Sequence, residues 1–316
     1  MKILLTGASS FTGMWFATEL ASAGHDVTAT LTRRRDAYEA VRGQRVARLA
    51  EHVTLVEGVR FGDDAFLQLC RDERWDVLCH HAADVTDYKS PDFDIAAAVA
   101  SNTHNIAAVC QALAEQKCQA IVATGSVFEP GEGAGSDGLP TFSPYGLSKA
   151  LSWQMLAYYA DRHGIRAAKF VIPNPFGPLE EPRFTHYLVK TWARGETAAV
   201  NTPAYVRDNI HVSLLARAYA RFVGRVAEQR PPAKLNPSGY IETQGAFAQR
   251  FAAEMRPRLG LACELELANQ REFAEPRIRI NTDLVDGPTM GWDEAAAWDA
   301  IAEHYRQILS TRAPQA

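Results

Sequence analysis

The sequence has no apolar run of the roughly 20 residues that a membrane-crossing helix requires. Its opening, Met1-Lys2-Ile3-Leu4-Leu5-Thr6-Gly7, turns to Thr and Gly too early for a secretory h-region. Positive charge is not in surplus: 33 Lys and Arg face 37 Asp and Glu, a formal net charge of −4. A general attraction to nucleic acid or anionic lipid is thereby excluded. Cysteine is scarce. Cys70, Cys79, Cys110, Cys118 and Cys263 include no C-x-x-C pair and leave one over in any disulfide scheme. A reducing, cytoplasmic setting is expected from that usage. The histidines show no H-E-x-x-H or comparable spacing, so no metal site is expected. Internal repeats and low-complexity tracts are missing too. What remains is a globular chain of 316 residues, 47% hydrophobic and 22% charged. That length suits two domains, or one large α/β unit with an appendage.

Short apolar runs alternate with amphipathic stretches through the first half. Ile3–Leu5, Val27–Leu31, Val53–Val56, Val77–Cys79, Ile121–Ala123 and Ala168–Ile172 read as strands. Asp63–Glu73, Ala96–Gln116 and Tyr145–His163 carry apolar residues at helical spacing. Strand-helix alternation predicts an α/β fold, a doubly wound parallel sheet covered by helices on both faces. The rhythm breaks after Pro173, where prolines crowd the chain up to Pro237. The expected division is therefore residues 1–172 as one domain and 173–316 as a smaller lobe, with some later segments returning to the first sheet. The tail after Leu309 is expected to fray.

Leu5-Thr6-Gly7-Ala8-Ser9-Ser10-Phe11-Thr12-Gly13 leads from the first strand into the first helix. Gly7 permits the bend, Gly13 permits close helix–sheet packing, and the helix N-terminus between them offers free N–H groups to a pyrophosphate. Ser9, Ser10, Phe11 and Thr12 complete this dinucleotide cradle, with Ser10 where many such loops have a middle Gly. After the second strand the chain runs into Arg33-Arg34-Arg35, with no carboxylate at the tip. Forked guanidinium groups suit a 2′-phosphate, so Arg33 and Arg34 favour NADP(H) over NAD(H).

Ser143-Pro144-Tyr145-Gly146-Leu147-Ser148-Lys149 opens a helix, with Ser143 as its N-cap and Pro144 in its first turn. Tyr145 and Lys149, four residues apart, share one helical face. A free phenol titrates near 10, and an ammonium beside it favours the phenolate. Tyr145 is thereby a candidate proton donor and acceptor at the oxygen of a carbonyl/alcohol pair.

In these motifs the sequence resembles the extended short-chain dehydrogenase/reductase family, in its nucleotide-sugar epimerase, dehydratase and reductase branch. The resemblance implies a Rossmann-type domain and a C-terminal substrate lobe. Asp76-Val77-Leu78-Cys79-His80-His81-Ala82-Ala83 is similar to the family's D-x-x-x-H-x-A-A strand, which places Ala82 beside the cofactor. Asn102 falls on a helix asparagine that steadies the sheet. Thr124 matches the hydroxyl that orients the reacting sugar oxygen, Ser126 a helper, and Tyr145 and Lys149 the remaining catalytic pair. Lys149 is implied to bind the cofactor ribose as well. Asn174 lies in a segment like R-x-x-N-x-x-G-P, with Val171 in the place of the arginine. Arg207 and Arg277 match two arginines that grip the substrate's diphosphate. An aspartate usual near the third strand is replaced by Val59, which shifts the adenine contact toward Asp63 or Arg60.

A dehydratase of this branch has Asp-Glu directly after its catalytic threonine, whereas Gly125-Ser126 stands here. The resemblance therefore implies a reductase that takes hydride from NADPH, or an NAD-dependent 4-epimerase of a nucleotide sugar, with the arginine run tilting toward the former. A dinucleotide-binding sensor without turnover is the reading from another class. A homodimer joined through Ala96–Gln116 and Tyr145–His163 is the family's expected assembly, with a nucleotide sugar as partner and neither nucleic acid nor membrane.

Overall fold

The computed structural model describes residues 1–310. Its first half alternates strands β1 (Lys2–Thr6), β2 (Asp26–Leu31), β3 (Thr54–Glu57), β4 (Val77–His80) and β5 (Ala120–Ser126) with helices. These helices are α1 (Phe11–Ser22), α2 (Ala40–Ala50), α3 (Asp64–Asp72), α4 (Ile95–Asn102), α5 (Ile106–Glu115) and α6 (Pro144–Arg162). A two-residue strand, β6 (Ala134–Gly135), precedes α6, and β7 (Arg166–Ile172) follows it.

The second half contributes β8 (Asn174–Phe176), α7 (Phe184–Trp192), β9 (Ala198–Val200), β10 (Val206–His211), α8 (Val212–Ala227) and β11 (Lys234–Leu235). After these come β12 (Pro237–Ser238), β13 (Tyr240–Thr243), α9 (Gln244–Leu259), β14 (Leu265–Leu267), β15 (Ile278–Ile280), β16 (Asp283–Leu284) and α10 (Glu294–Ser310). The frayed tail expected after Leu309 lies, beyond Ser310, outside the described residues.

Seven strands form one parallel sheet in the order β11-β7-β5-β4-β1-β2-β3. Chain order reverses between β1 and β4, and a sheet of this kind opens a crevice at that point, outside its carboxyl edge. Alternation along each strand feeds two cores. Ile3, Leu5, Val77 and Cys79 face α1 and α8, whereas Leu4, Leu78 and Ile121 face α3, α5 and α6. A third core, around Trp192, Phe251 and Trp298, holds α7, α9 and α10 together. A smaller sheet, β13-β10-β15-β6 with β8 beside β10, carries the segment of Arg207.

The stretch Ala96–Gln116, expected as one helix, is two. The chain breaks at Thr103–Asn105, with Asn105 in the left-handed region at φ +49°. Tertiary contact decides this. Asn105 donates its Nδ2 to the Gly62 carbonyl at 2.7 Å, and a Cβ on Gly62 would lie 1.9 Å from the His104 carbonyl oxygen. The approach of the 58–63 loop therefore outweighs the helical propensity of an alanine-rich stretch. The helix α2 lay outside the periodic segments read from sequence. Its Arg45 is fully buried, donating to the Leu179 carbonyl and pairing with Glu181 at 2.6 Å.

Candidate active site

After β1 the backbone turns at Gly7, φ +79°, into α1. Ser10 caps the helix: its Oγ accepts from the Gly13 amide at 3.1 Å and donates to the Gly7 carbonyl at 2.9 Å. The serine replacing a middle glycine thus turns its side chain inward. A Cβ on Gly13 would lie 2.3 Å from the Gly7 oxygen, a distance only glycine avoids. Among the described residues no protein acceptor pairs with the amides of Phe11 and Thr12. Unpaired N–H groups at the positive end of a helix fit a pyrophosphate. The loop also touches the end of β4, where the His81 and Ala82 amides both donate to Thr6 Oγ1, at 3.2 and 3.1 Å.

At the tip of β2, Arg35 is committed to Glu57 on β3, through its amide at 3.0 Å and its Nε at 2.5 Å. The Arg35 amide, followed by its guanidinium, holds the Glu57 carboxyl below its ordinary range. Arg33 and Arg34 stay exposed, the former over the Tyr38 ring and the latter 3.5 Å from Asp36. Asp63, a sequence candidate for the adenine contact, is already engaged. It caps α3 by accepting from Phe66 at 2.8 Å and takes the Arg60 amide at 3.0 Å.

The helix α6 starts where Ser143 and Pro144 place it, with Ser143 Oγ accepting from the Gly146 amide at 3.3 Å. A Cβ on Gly146 would come 2.1 Å from the Phe128 carbonyl oxygen, so the first turn of α6 rests directly on the turn after β5. Tyr145 is thereby set beside the carboxyl end of β5, with its ring edge-on to Tyr88 and Phe93. Thr124, Lys149, Ala82 and Asn102 line one small cavity there, together with His80 and Lys169. Asn102 ties the elements around it: its Oδ1 accepts the Asp84 amide at 2.8 Å and its Nδ2 donates to Ser152 Oγ at 3.2 Å.

The electrostatics differ from the sequence expectation. The Tyr145 phenol is held above its ordinary range by burial, then by the charge of Glu129 and by Tyr88, against a smaller opposing effect of Arg183. Lys149 is not among the groups that move it. Burial pushes the Lys149 ammonium down to about 8, against the attraction of Glu129 and with a further push from Lys169. The apolar walls cost the ammonium hydration, and the phenol's charged form faces a carboxylate.

Two histidines at the end of β4 remain neutral. Burial, then the charge of Lys149, pushes both His80 and His81 down to about 3. His81 reaches from the phosphate loop to β5, with Nδ1 2.8 Å from Thr124 Oγ1. Burial also takes His211 down to about 3. These shifts make stability depend on pH. Below about 6.5 the unfolded chain binds protons that the folded histidines refuse, so stability falls as pH drops from 6.5 toward 3. Glu180, raised to about 7 chiefly by burial, acts in the opposite sense between 4.5 and 7. Three histidines outweigh one carboxyl. Urea unfolding is expected to show roughly 1–3 kcal/mol less stability at pH 5 than at pH 6.5; equal or greater stability at pH 5 would contradict the neutral assignment.

The substrate-side candidates fare unevenly. Ser126 spends its oxygen on the turn, accepting the Phe128 amide at 3.2 Å, while its own amide donates to Glu129 Oε1 at 2.7 Å. Asn174 sits on β8, in register with Asn209 of β10. Arg207, expected to grip the diphosphate, packs here against the loop 275–277. Its Nη1 donates to the carbonyls of Val206, Pro276 and Arg277 at 3.0–3.2 Å, and its Nη2 pairs with Glu275 at 3.1 Å. An arginine whose side chain is only 10% exposed must find acceptors, and the loop 275–277 supplies them. Arg277 is exposed, over the Phe273 ring.

Sequence reasoning did not single out His81, or the buried Glu129–Lys169–Glu132 cluster beside Lys149. His81 lay in a quoted motif at a position with no assigned role. The signal for the cluster was three charges in apolar surroundings on segments that only the fold joins.

Residues 3–236 match the sequence model of a family described as the NAD dependent epimerase/dehydratase family. No curated protein matches the chain by sequence. Among solved structures it resembles a variant of the UDP-glucuronic acid 4-epimerase from Bacillus cereus, which holds NAD and a fluorinated UDP-sugar. The TM-score is 0.74 at 16% identity, over 98% of this chain and 100% of that one. The UDP-glucose 4-epimerase of Thermotoga maritima gives 0.72 at 17% identity, over 98% and 100%. A dTDP-glucose 4,6-dehydratase of Streptomyces venezuelae gives 0.70 at 18%, over 99% of each chain. At such identities the likeness establishes the fold.

Proposed function

Because the chain belongs to the NAD dependent epimerase/dehydratase family, among the extended short-chain dehydrogenases/reductases, we propose that it oxidises or reduces one sugar carbon of a nucleotide-diphospho-sugar. The observation that carries this reading is Thr124 and Lys149 lining one cavity at the carboxyl end of β5, with Tyr145 one helical turn before Lys149 and the first turn of α6 resting on the turn after β5, beside a phosphate loop with unpaired amides. The nicotinamide dinucleotide supplies the hydride when bound. The Phe11 and Thr12 amides hold its pyrophosphate, Lys149 its ribose, and Arg33 and Arg34 a 2′-phosphate, which favours NADP(H).

The chain's own part is proton handling and placement. The Tyr145 hydroxyl gives its proton to the sugar oxygen in reduction and recovers it in oxidation, while Thr124 orients that oxygen. A phenol held above its ordinary range is the donor form at neutral pH, which suits a reductase of a keto sugar at C4. Residues 173–316 supply most of the substrate lobe, with Asn174, Ser126 and exposed Arg277 toward the sugar and its diphosphate; β11 and α8 return to the first sheet and its core. The exposed Leu151, Met155 and Tyr158 of α6 form the face through which a second copy pairs. Five buried thiols, all raised by burial, suit a reducing compartment such as the cytoplasm.

The second reading is an NAD-dependent 4-epimerase, favoured by the family and by the epimerases among the similar folds. One experiment separates them. The protein is incubated with NADPH or NADH and a panel of UDP-, GDP- and dTDP-sugars and their 4-keto forms. A reductase consumes nicotinamide absorbance in proportion to product. An epimerase interconverts sugars with none consumed, and no conversion of any sugar would overturn both readings. Arg33→Ala with Arg34→Ala is expected to lower the preference for NADPH at least tenfold, in line with the loss of charge-assisted phosphate bonds. An unchanged preference would refute the NADP(H) assignment.

A further inference from the structure

The imidazole of His81 stands between two parts of the site that lie far apart in sequence. Its Nε2 is 3.0 Å from Ser10 Oγ and 3.1 Å from Thr12 Oγ1, and its Nδ1 is 2.8 Å from Thr124 Oγ1. Phe16 supports the ring edge-on, with centroids 5.3 Å apart. Resting on the hydride-transfer reading above, we propose that His81 is a positioning residue: it donates from Nδ1 to Thr124, so the Thr124 hydroxyl keeps its proton for the reacting sugar oxygen.

The direction follows from counting protons. A neutral imidazole has one donor nitrogen and one acceptor nitrogen. Ser10 has a single hydroxyl proton, and the Gly7 carbonyl, which can only accept, takes it at 2.9 Å. Ser10 therefore has none to offer Nε2. Thr12 Oγ1 has no other protein partner among the described residues, and Thr12 is buried, so its proton goes to Nε2. With Nε2 accepting, the ring proton sits on Nδ1 and points at Thr124. The Thr12 proton and the ring N–H are then both paired, Ser10 Oγ stands 3.0 Å from Nε2 with no proton between them, and the Thr124 proton is left for substrate. The opposite tautomer strands the Thr12 proton and turns the Thr124 proton inward to Nδ1. Thr124 would then present only lone pairs to the sugar oxygen. An alcohol or carbonyl oxygen that gains negative character in hydride transfer is stabilised by a donor there. Burial supports the neutral ring by pushing the imidazole down to about 3.

The test is nitrogen NMR of the full chain labelled with 15N-histidine and saturated with the preferred dinucleotide. Long-range proton–nitrogen correlations distinguish the tautomers. The His81 signals are identified by their loss in His81→Gln or, where that variant does not fold, by contacts between ring protons and Phe16. The expected result is the Nδ1–H tautomer, retained in Thr12→Ser and shifted toward Nε2–H in Thr12→Val. His81→Phe, which keeps a ring against Phe16 but has no nitrogen, is expected to lower kcat about tenfold with KM within about threefold, as loss of an oriented donor predicts. An Nε2–H tautomer in the parent protein, or a Thr12→Val variant with tautomer and kcat both unchanged, would overturn the proposal. The tautomer is read without turnover, so a protein that converts no sugar refutes the functional reading alone.

Discussion

Tyr145→Phe is expected to lower kcat by a factor of about 10³ while leaving dinucleotide affinity within about twofold. The phenol oxygen is the only part removed. The ring stays, and with it the edge contacts to Tyr88 and Phe93 that hold this turn of α6. Ser143 still caps the helix, and the glycine after Tyr145 still rests on the turn following β5. The loss therefore falls on proton transfer, for which a positioned acid or base contributes about 10²–10⁴. Dinucleotide affinity is measured by calorimetry and turnover with the best sugar of the panel. Turnover within tenfold of the parent would remove Tyr145 from the chemistry. The pH profile adds a direction. With its phenol held high, reduction by the parent enzyme should stay level from pH 6 to 8, because the proton donor is loaded throughout. Oxidation should rise with pH over the same range, because it needs the phenolate.

The second large effect is on stability. Lys169 projects from β7 into the interior, with Nζ 2.5 Å from Glu129 Oε2 and 2.7 Å from Glu132 Oε1. All three side chains are under a tenth exposed. Glu132 is also reached by Lys234 at 3.2 Å and Asn236 at 3.1 Å, and Glu129 Oε1 takes the Ser126 amide. Lys169→Met removes the cation that, among the described residues, pairs with both carboxylates. A buried pair broken on one side costs about 3–5 kcal/mol, because the remaining charge keeps its desolvation and loses its partner. Against a typical total of about 5–15 kcal/mol, this is a large share. Urea unfolding should show the loss. Adding Glu129→Gln and Glu132→Gln should restore most of it, since neutral amides need no counterion. A single variant within about 1 kcal/mol of the parent would show that Lys169 is not what stabilises the carboxylates.

Much of this molecule could be read one segment at a time. The strand runs, the bend at Gly7, the cap at Ser143 and the four-residue step from Tyr145 to Lys149 are local features. Their signals are backbone conformation and side-chain period, which neighbours in sequence set among themselves. The limits of such reading appear at Thr103–Asn105, where a helical pattern was interrupted by the loop around Gly62. They appear again at Arg207, whose guanidinium the loop 275–277 claimed, and at Tyr145, whose environment raises its phenol where the ammonium alone would lower it. Ser10, His81 and Thr124 lie on three separate segments, and Glu129 and Lys169 on two. The amino-acid sequence by itself determined the strand–helix alternation of the first half, the phosphate turn and the helix that carries the phenol and the amine. Which carbonyls, carboxylates and imidazoles surround those groups was decided only when the sheet brought distant segments within hydrogen-bond range, because burial and charge act through distances in space that sequence spacing does not record.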